Sequence, residues 1–372
     1  MKILQIKPKD NLFLGGGKNF NKGESTWLST RFVPYPSVFY GAICSLMLSL
    51  NDKRRKDYIT NYKQDNAFNN TSDPRKYLTV GNVYLYNDKD KHYYIPAPLD
   101  VFYKNNNVDR NYISKIIKVD DSIKTSSKMN YLFSSPKNST RCDGMFISLN
   151  TFYSSYYYGE NDIDILNLND ITTNAYKVGI EKNENYTAKE GHLYRIDLTE
   201  FKDDDNNSWS YVVEYELNTQ KSQTWWEDGK DHLNKGYLKL GGESKVCKYI
   251  SGDICNYSIP QDDFDYEYVK LILMSPLVIK DENAKLKDID IIAVSTGKYY
   301  SIGGFDLQLN IPKPMFNAFP EGSVFVLDIR KLEDRTIRKI WEYVTKEEIF
   351  RSQGSGFGKF RIVPLKDELI LS

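Results

Sequence analysis

The glycine-rich segment Gly354-Ser355-Gly356-Phe357-Gly358-Lys359 is the part of this 372-residue chain whose residue types best suit binding chemistry. A glycine-rich backbone exposes successive N–H groups to which anions can bond. The segment follows a predicted helix and precedes a predicted strand, whereas Walker A and Rossmann loops run from a strand into a helix. The order therefore argues against a P-loop and favours a backbone surface laid against a chain. A turn that needs positive φ is the alternative.

Two other glycine segments raise the question of metal or anion binding. Gly15-Gly16-Gly17-Lys18 follows the first predicted strand, and Gly241-Gly242-Glu243-Ser244 is similar to the Gly-Gly-acid-acid hairpin that holds two metal ions in cyclases and polymerases. Ser244 stands where two-metal chemistry would need a second acid. We therefore expect no metal site and no other cofactor.

Histidine chemistry has three candidates, His92, His192 and His232. None of them has a catalytic partner at a readable spacing, and no Gly-x-Ser-x-Gly or cysteine–histidine arrangement is present. The pattern therefore predicts no catalytic histidine. An endoribonuclease that uses one of these histidines with a lysine is the alternative.

The predicted elements of the first part of the chain are a strand over residues 2–7 and a helix over 36–50. Ser37 is the expected N-cap of this helix. The basic run 51–56 then forms a solvated cap at the helix C-terminus, where the helix dipole favours cations. Residues 57–76 are polar and rich in asparagine, which predicts an insertion outside the core.

The rest of the chain mixes strands and helices without regular alternation, which predicts an α+β fold with antiparallel sheets. A helix over 332–350 carries Ile337, Ile340, Trp341 and Val344 on one stripe. The predicted strands form hairpins over 77–86 with 92–96 and over 192–201 with 209–217, followed by strands at 268–274, 289–295, 323–327 and 360–363.

Charge and cysteine content narrow the function classes. Fifty Lys and Arg balance fifty Asp and Glu, so any binding to a polyanion must be local. The four cysteines form no CxxC pair, and no signal-peptide pattern opens the chain, which predicts reduced thiols in the cytoplasm. The longest apolar stretch, 38–50, is too short to span a bilayer.

Motifs spread over nearly the whole chain resemble one family. They are LFLGGGKNF (12–20), PSVFYGAI (36–43), PAPLD (96–100), TAKEGHLYR (187–195), LGGE (240–243), GGFDL (303–307), PKPM (312–315), PEGSV (320–324) and QGSGFG (353–358). In this order they are similar to those of the Cmr-type subunit three of type III-B CRISPR RNA-guided interference complexes, a member of the RAMP superfamily.

The resemblance implies two ferredoxin-like (RRM-like) modules with insertions, which we place at 1–217 and 218–372. It implies no catalytic activity and binding of the 5′ repeat-derived handle of the crRNA. The implied partners are the large polymerase/cyclase-like CRISPR subunit and the backbone RAMP subunits, with target RNA reached indirectly through the complex. A structural adaptor that touches only proteins is a further alternative.

The expected RNA-binding residues follow from these motifs. Gly354, Ser355, Gly356 and Gly358 form a backbone cradle, Lys359 adds charge, and Phe357 serves either as a stacking ring or as a core anchor. The opposite wall and the remaining contacts are Gly16, Gly17, Lys18, Gly242, Lys245 and Lys313. Such a site suits single-stranded RNA, which proteins hold through phosphate contacts and base stacking.

Overall fold

A computed structural model describes residues 1–15, 27–28, 30–61, 71–104, 111–120, 129–202, 208–218, 224–253, 265–281, 286–306, 309, 311–351, 353–366 and 370–371. The chain divides into two units, each assembled from three segments. Unit 1 comprises Met1–Asp90, Asn169–Ile254 and Ile302–Met315, and unit 2 comprises Lys91–Leu168, Cys255–Ser301 and Phe316–Ser372. The units interleave along the chain and thus differ from the predicted division into 1–217 and 218–372.

Strands predominate among the described elements. In chain order they are β1 (Lys2–Pro8), β2 (Trp27–Leu28), β3 (Leu78–Asn87), β4 (Tyr93–Pro96), β5 (Val101–Lys104), β6 (Asn111–Ile113), β7 (Lys115–Lys118), β8 (Tyr131–Ser134), β9 (Ser139–Arg141), β10 (Phe146–Ser148), β11 (Ile165–Leu166), β12 (Thr172–Lys182), β13 (Ala188–Phe201), β14 (Trp209–Leu217), β15 (Lys235–Lys239), β16 (Val246–Asp253), β17 (Tyr268–Leu273), β18 (Leu277–Val278), β19 (Asp290–Ser295), β20 (Tyr300–Asp306), β21 (Ile311–Phe319), β22 (Val324–Asp328), β23 (Phe360–Pro364) and β24 (Ile370–Leu371).

The helices are short apart from the first. They are α1 (Pro36–Ser49), α2 (Asp52–Asn61), α3 (Leu149–Ser154), α4 (Leu168–Ile171), α5 (Ile337–Lys346) and α6 (Glu348–Arg351), with 3₁₀ turns η1 (Pro74–Lys76) and η2 (Tyr156–Tyr158). Among the described residues, no helix is both long and apolar enough to cross a membrane. The mixture of helices with mostly antiparallel sheets confirms the α+β prediction.

Unit 1 is built on a sheet in which β3, β14, β1, β16 and β15 lie side by side, all antiparallel to their neighbours. Counting β1, β3, β14 and β16 as strands 1 to 4, the spatial order is 4-1-3-2. Helix α1 connects strands 1 and 2 and buries Phe39, whose ring centre is 5.4 Å from that of Tyr211 in β14. Because β16 pairs with β1 along its length, residues after 217 belong to this sheet.

Helix α1 confirms the predicted helix, with a corrected start. Its N-cap is Tyr35, and Pro36 occupies the first turn, so the Ser37 cap was wrong. Proline suits this position because its fixed φ matches the helix and the first-turn N–H groups have no intrahelical partner.

The predicted solvated cap and the start of the predicted insertion are also corrected. The basic run continues into α2, because the side chain of Asn51 accepts a hydrogen bond from the backbone N–H of Arg54 at 3.2 Å. An Asn side chain in this position starts a helix by satisfying one of its unpaired donors. Residues 57–61 are therefore helical.

The predicted hairpin over 192–201 and 209–217 was wrong about pairing, although both strands form. β13 pairs with β12 in an exposed ribbon that β2 extends, whereas β14 lies between β1 and β3. β14 buries seven consecutive residues, as a central strand covered on both faces does. β13 and β14 are neighbours in sequence but belong to different sheets, because β14 is a buried central strand and β13 is not.

Unit 2 contains a second sheet with the order β19-β22-β17-β23, again antiparallel throughout. Counting β17, β19, β22 and β23 as strands 1 to 4, the order is once more 4-1-3-2. Helix α5 lies between strands 3 and 4 and buries Ile337, Ile340 and Val344. The predicted helix over 332–350 is shorter, because Glu347 has an extended backbone (ψ 140°) that separates α5 from α6.

Among the remaining strands of unit 2, β10 pairs antiparallel with β4 and with β11. Two small sheets are β6-β5-β9, which is antiparallel, and β24-β7-β8, in which β7 pairs antiparallel with β8 and in parallel with β24. A buried ion pair ties this region to the main sheet of unit 2. The ammonium of Lys270 on β17 lies 2.7 Å from a carboxylate oxygen of Asp100, and the hydroxyl of Tyr156 donates to the same carboxylate at 2.8 Å.

Three cysteines are described, Cys44, Cys142 and Cys247, and all three are free thiols. Burial raises the pKa of each thiol to about 12. The thiolate is the reactive form of cysteine, and with raised pKa values these thiols stay protonated at neutral pH. Cys142 and Cys247 are buried, and Cys44 is half-buried.

Candidate nucleic-acid interface

The C-terminal glycine segment forms a tight turn between α6 and β23 in unit 2. Three of its residues have positive φ: Ser355 at 57°, Gly356 at 84° and Gly358 at 63°. A Cβ atom at Gly358 would lie 2.5 Å from Cγ of Gln353, so a side chain does not fit there. The turn itself therefore requires glycine at Gly358 and favours it at Gly356, which agrees with the alternative interpretation of this segment as a turn that needs positive φ.

Hydrogen bonds fasten this turn to the segment that follows β17. The hydroxyl of Ser275 donates to the carbonyl of Gly356 and accepts from the N–H of Lys359, both at 2.9 Å. The N–H of Gly358 donates to the carbonyl of Pro276 at 2.8 Å. The side-chain amide of Gln353 bonds to the backbone of Val278 in both directions. The turn is thus held in shape from both sides.

Three successive backbone N–H groups of the turn take no part in these hydrogen bonds. Within the described part of the chain, the backbone N–H groups of Gly354, Ser355 and Gly356 have no hydrogen-bond acceptor. Gly354 is exposed, Ser355 is half-buried and Gly356 is buried. Gly354 and Ser355 are therefore the two of these three residues that solvent reaches, and unpaired backbone N–H groups are suited to bind an anion.

The side chains near the turn include the aromatic ring of Trp341, for which the sequence pattern predicted a buried position. Trp341 was expected on the buried stripe of α5, but it is 48% exposed. Its ring centre lies 6.5 Å from that of Phe360, the residue that begins β23 directly after the turn. Phe357 and Lys359 are half-buried. Only the packing of α5 reveals Trp341, because its spacing alone is that of a core residue.

In unit 1 the Gly241–Gly242 turn packs against Phe13, in the segment between β1 and the first glycine loop. The N–H of Gly242 donates to the carbonyl of Phe13 at 2.9 Å. Gly241 has φ 71°, and a Cβ there would lie 2.4 Å from the Phe13 carbonyl oxygen. The Gly241–Gly242 turn therefore allows its backbone to come close to the backbone of Phe13. Gly16, Gly17 and Lys18 lie outside the described residues.

The two predicted lysine contacts of unit 1 differ in availability. The ammonium of Lys245 lies 2.9 Å from the carboxylate of Asp10, and its side chain is only 16% exposed. This hydrogen bond lowers the pKa of Asp10. Lys313 on β21 is exposed and has no ion-pair partner among the described residues. Lys313 is thus the better placed of the two for a phosphate.

The structure brings Gly354 to Lys359 together in one turn and places Gly242 next to Lys245 in another. The two histidines with described side chains have different partners: His92 lies 2.8 Å from the side-chain amide of Asn150 in unit 2, and His232 lies 3.0 Å from the carboxylate of Asp228 in unit 1. The side chain of His192 lies outside the described part of the chain. No group of three metal-ligating side chains occurs among the described residues.

Comparison with solved structures finds similar chains at low sequence identity, of which the first has a TM-score above 0.5. A chain in the cryo-EM structure of the type III-B Cmr-beta bound to cognate target RNA and AMPPnP is 18% identical, with coverage of 98% of this chain and 99% of that chain and a TM-score of 0.51. A chain of the same assembly bound to cognate target RNA has 17% identity, coverage of 96% of both chains and a TM-score of 0.49. A chain of the Csm3-Csm4 subcomplex of the type III-A CRISPR-Cas interference complex has 14% identity, coverage of 98% and 100%, and a TM-score of 0.39.

The family model of the CRISPR-associated proteins designated Cas_Cmr3 matches residues 4–365. The chain therefore belongs to this family, and the resemblance drawn from its motifs is confirmed. No curated protein sequence matches the chain.

Proposed function

We propose that this protein is a non-catalytic RNA-binding subunit of a type III-B CRISPR effector complex, and that it holds the 5′ repeat-derived handle of the crRNA. The observation that carries the proposal is the C-terminal glycine turn, whose unpaired N–H groups at Gly354 and Ser355 lie in a rigid loop near the exposed ring of Trp341. Backbone donors bind phosphate, and an exposed aromatic ring offers a base a stacking surface.

The sheet order supports two ferredoxin-like modules. Each unit has four antiparallel strands in the order 4-1-3-2, which is the arrangement produced by a β-α-β-β-α-β chain. Unit 1 retains the first helix as α1, and unit 2 retains the second as α5. Turns and additional strands take the place of the other two helices within the described residues. In this proposal β15 and β16 complete the first module.

Binding through a backbone turn agrees with the neutral composition of the chain. Fifty cations balance fifty anions, and several described cations are already paired with carboxylates, as the largely buried Lys245 is with Asp10 and the exposed Lys331 is with Asp290. N–H dipoles carry no net charge, so they can hold a phosphate without a basic surface. Lys359 and Lys313 add local charge. The partner subunits would supply the rest of the RNA path.

The proposed partners are those of the complexes to which the fold is related. The similar chains belong to type III-B Cmr-beta bound to cognate target RNA. We infer that this protein joins the large polymerase/cyclase-like subunit to the backbone RAMP subunits, and meets target RNA only through the assembled complex. A non-catalytic role fits the partners of His92 and His232, which are the side-chain amide of Asn150 and the carboxylate of Asp228.

Binding of a labelled handle RNA to the purified chain tests the cradle. In Gly356→Asp a carboxylate is placed beside the N–H groups that the phosphate would use, so we expect the dissociation constant to rise at least about tenfold. Lys359→Glu should weaken binding in the same direction. Gly144→Asp is the matched control, because Gly144 is an exposed glycine of unit 2 with φ 71° and open space around its Cβ position. Unchanged binding in both loop variants would reject the cradle.

A further inference from the structure

The hairpin of β15 and β16 in unit 1 has one face in the core and one face in solvent. Leu238, Cys247 and Tyr249 lie in the core and are buried. The outward positions alternate with these residues, as the pleat of a strand requires. With the outward positions of β1, which pairs with β16, they form an outer face that consists of Ile3, Gln5, Lys7, Lys235, Tyr237, Lys239, Val246, Lys248, Ile250 and Gly252.

This outer face carries positive charge only. Its ten positions include four lysines and no Asp or Glu, although the whole chain has equal numbers of both signs. Two carboxylates border the face, and both accept hydrogen bonds from the protein: Glu214 from the hydroxyl of Tyr84, and Asp88 from the side-chain amide of Gln5. A surface with one sign of charge attracts ligands of the opposite sign. The outer face therefore suits an anionic partner.

Three of the four lysines contribute no polar contact to the fold. Lys235, Lys239 and Lys248 are exposed, and none of them has a hydrogen-bond or ion-pair partner in the described part of the chain. The turn of the same hairpin differs, because the ammonium of Lys245 pairs with the carboxylate of Asp10 at 2.9 Å. The cations of this hairpin that remain available to a ligand therefore lie on its strands and not in its glycine turn.

An exposed aromatic ring lies among these cations. Tyr237 is 64% exposed, and neither its hydroxyl nor its ring has a partner among the described residues. Lys235 and Lys239 are two positions away on the same strand, about 7 Å along it, and Lys248 is directly opposite on β16. Val246 and Ile250, on either side of Lys248, are also exposed. Apolar surface grouped in this way marks a contact with another molecule.

Protection of the sheet edge is the alternative role for these lysines. Lysines on an edge strand hinder unwanted strand pairing, and β15 is the last strand of its sheet, so this role accounts for Lys235 and Lys239. It does not account for Lys248 and Lys7, which lie on the inner strands β16 and β1. Nor does it account for Tyr237, because exposed aromatic surface at an edge favours association.

We propose that the outer face binds a segment of single-stranded RNA. The lysine ammonium groups contact its phosphates, and the ring of Tyr237 stacks on one of its bases. A single strand fits because its bases can turn their faces to a protein ring, whereas a duplex keeps them stacked on one another. The choice of RNA over an acidic protein segment rests on the proposed function. The site itself belongs to unit 1 and is separate from the glycine turn of unit 2.

Fluorescence anisotropy of the full chain with a labelled single-stranded handle RNA tests the lysines. The outer-face variant replaces three of them: Lys235→Gln, Lys239→Gln and Lys248→Gln. It should bind at least about tenfold more weakly at about 100 mM salt, and its slope of log K against log salt should be smaller by about 2, at roughly 0.7 for each lost phosphate contact. The control variant removes the same charge from exposed lysines elsewhere: Lys56→Gln, Lys137→Gln and Lys230→Gln. Its affinity should change less than about twofold.

The same titration with Tyr237→Ala tests the ring. Loss of the stacking surface should raise the dissociation constant about tenfold. The slope against salt should not change, because tyrosine carries no charge at neutral pH. Tyr299→Ala is the matched control, because Tyr299 is a tyrosine of unit 2 that is also 64% exposed and also without a partner among the described residues. Equal affinities of the two tyrosine variants would remove the ring from the proposal.

The outcomes distinguish this site from the proposed function. If the outer-face variant binds RNA like its control while Gly356→Asp weakens binding, the outer face is not an RNA site and the proposed function stands. If the outer-face variant weakens binding and Gly356→Asp does not, the outer face is supported and the glycine turn is rejected. Assembly with the partner subunits in the absence of RNA tests the other occupant. If the outer-face variant fails to assemble but binds RNA like its control, the face takes an acidic protein segment and the proposal is overturned.

Discussion

At the residue scale, the buried ion pair of Lys270 and Asp100 is the most exacting polar arrangement in unit 2. The side chains are 3% and 0% exposed, and Tyr156 supplies a further hydrogen bond to the carboxylate. Burial, together with the neighbouring Asp100, raises the pKa of Tyr156 far above its usual range, so its hydroxyl stays protonated and donates. A buried carboxylate is tolerated only while such partners remain.

Lys270→Met should lower the free energy of unfolding by about 3–5 kcal/mol, because it leaves the Asp100 carboxylate buried without its cation. Urea denaturation followed by circular dichroism measures the change. Adding Asp100→Asn should recover part of the loss. The surface pair of Lys331 and Asp290 is the control: both side chains are more than 60% exposed, so Lys331→Met should cost less than about 1 kcal/mol. Equal losses in the two lysine variants would contradict this account.

The glycine turn also permits a matched comparison at single positions. Gly358→Ala places a methyl group 2.5 Å from Cγ of Gln353 at a φ of 63°, whereas a Cβ at Gly354 meets nothing within 4 Å. We expect Gly358→Ala to destabilise the protein by roughly 1–3 kcal/mol, because left-handed backbone is unfavourable for alanine and the clash adds to it. Gly354→Ala should change stability by less than about 0.5 kcal/mol. Thermal or urea unfolding distinguishes these outcomes, and similar values for both would show that the turn is not constrained as described.

At the scale of elements, α5 shows how one helix serves both the core and the proposed RNA surface. Ile340 is completely buried against the second sheet, whereas Trp341, one position later, is 48% exposed beside the end of the glycine turn. A rotation of about 100° per residue around a helix is enough to separate these roles. The apolar stripe therefore stabilises the fold, and its edge contributes the ring.

Trp341→Ala should affect RNA binding, and Ile340→Ala should affect the stability of the fold. Removing the exposed ring should weaken handle RNA binding about tenfold, since stacking is worth roughly 1–3 kcal/mol per base, with little change in stability. Removing the buried side chain should reduce stability by about 2–5 kcal/mol. Fluorescence anisotropy with labelled RNA and urea denaturation measure the two quantities. A Trp341→Ala protein that binds RNA normally would exclude the ring from the site.

The predictions of helices and strands were correct where the local sequence pattern determines the element, and wrong where they concerned which strands pair with each other. Local sequence pattern located β1, β17, β19, β22 and β23, and apolar spacing located α1. The partner of a strand is not encoded locally: β13 and β14 follow each other in sequence, yet β14 lies between β1 and β3. The glycine turn was recognisable by composition, whereas its anchoring by Ser275 and Gln353 depends on contacts across about 80 residues.

At the scale of the whole molecule, the balance of charge limits how strongly the isolated chain holds RNA. We expect weak binding by the chain alone, with affinity falling as salt rises between about 50 and 300 mM. Lys359→Glu should reduce the slope of log K against log salt by roughly 0.7 for each lost phosphate contact. Fluorescence anisotropy over a salt series measures the slope. Tight binding at physiological salt by the chain alone would show that its local charge is stronger than proposed.

The amino-acid sequence by itself determined the family, the α+β class, the neutral charge and the position of the glycine turn. These are properties of composition, of short periodic patterns and of ordered motifs. Tertiary structure alone decided the interleaving of the two units, the exposure of Trp341, the pairing of Lys245 with Asp10 and the shared outer face of Tyr237 and Lys248. The physical reason is that exposure and pairing depend on residues distant in sequence, which only the folded chain brings together.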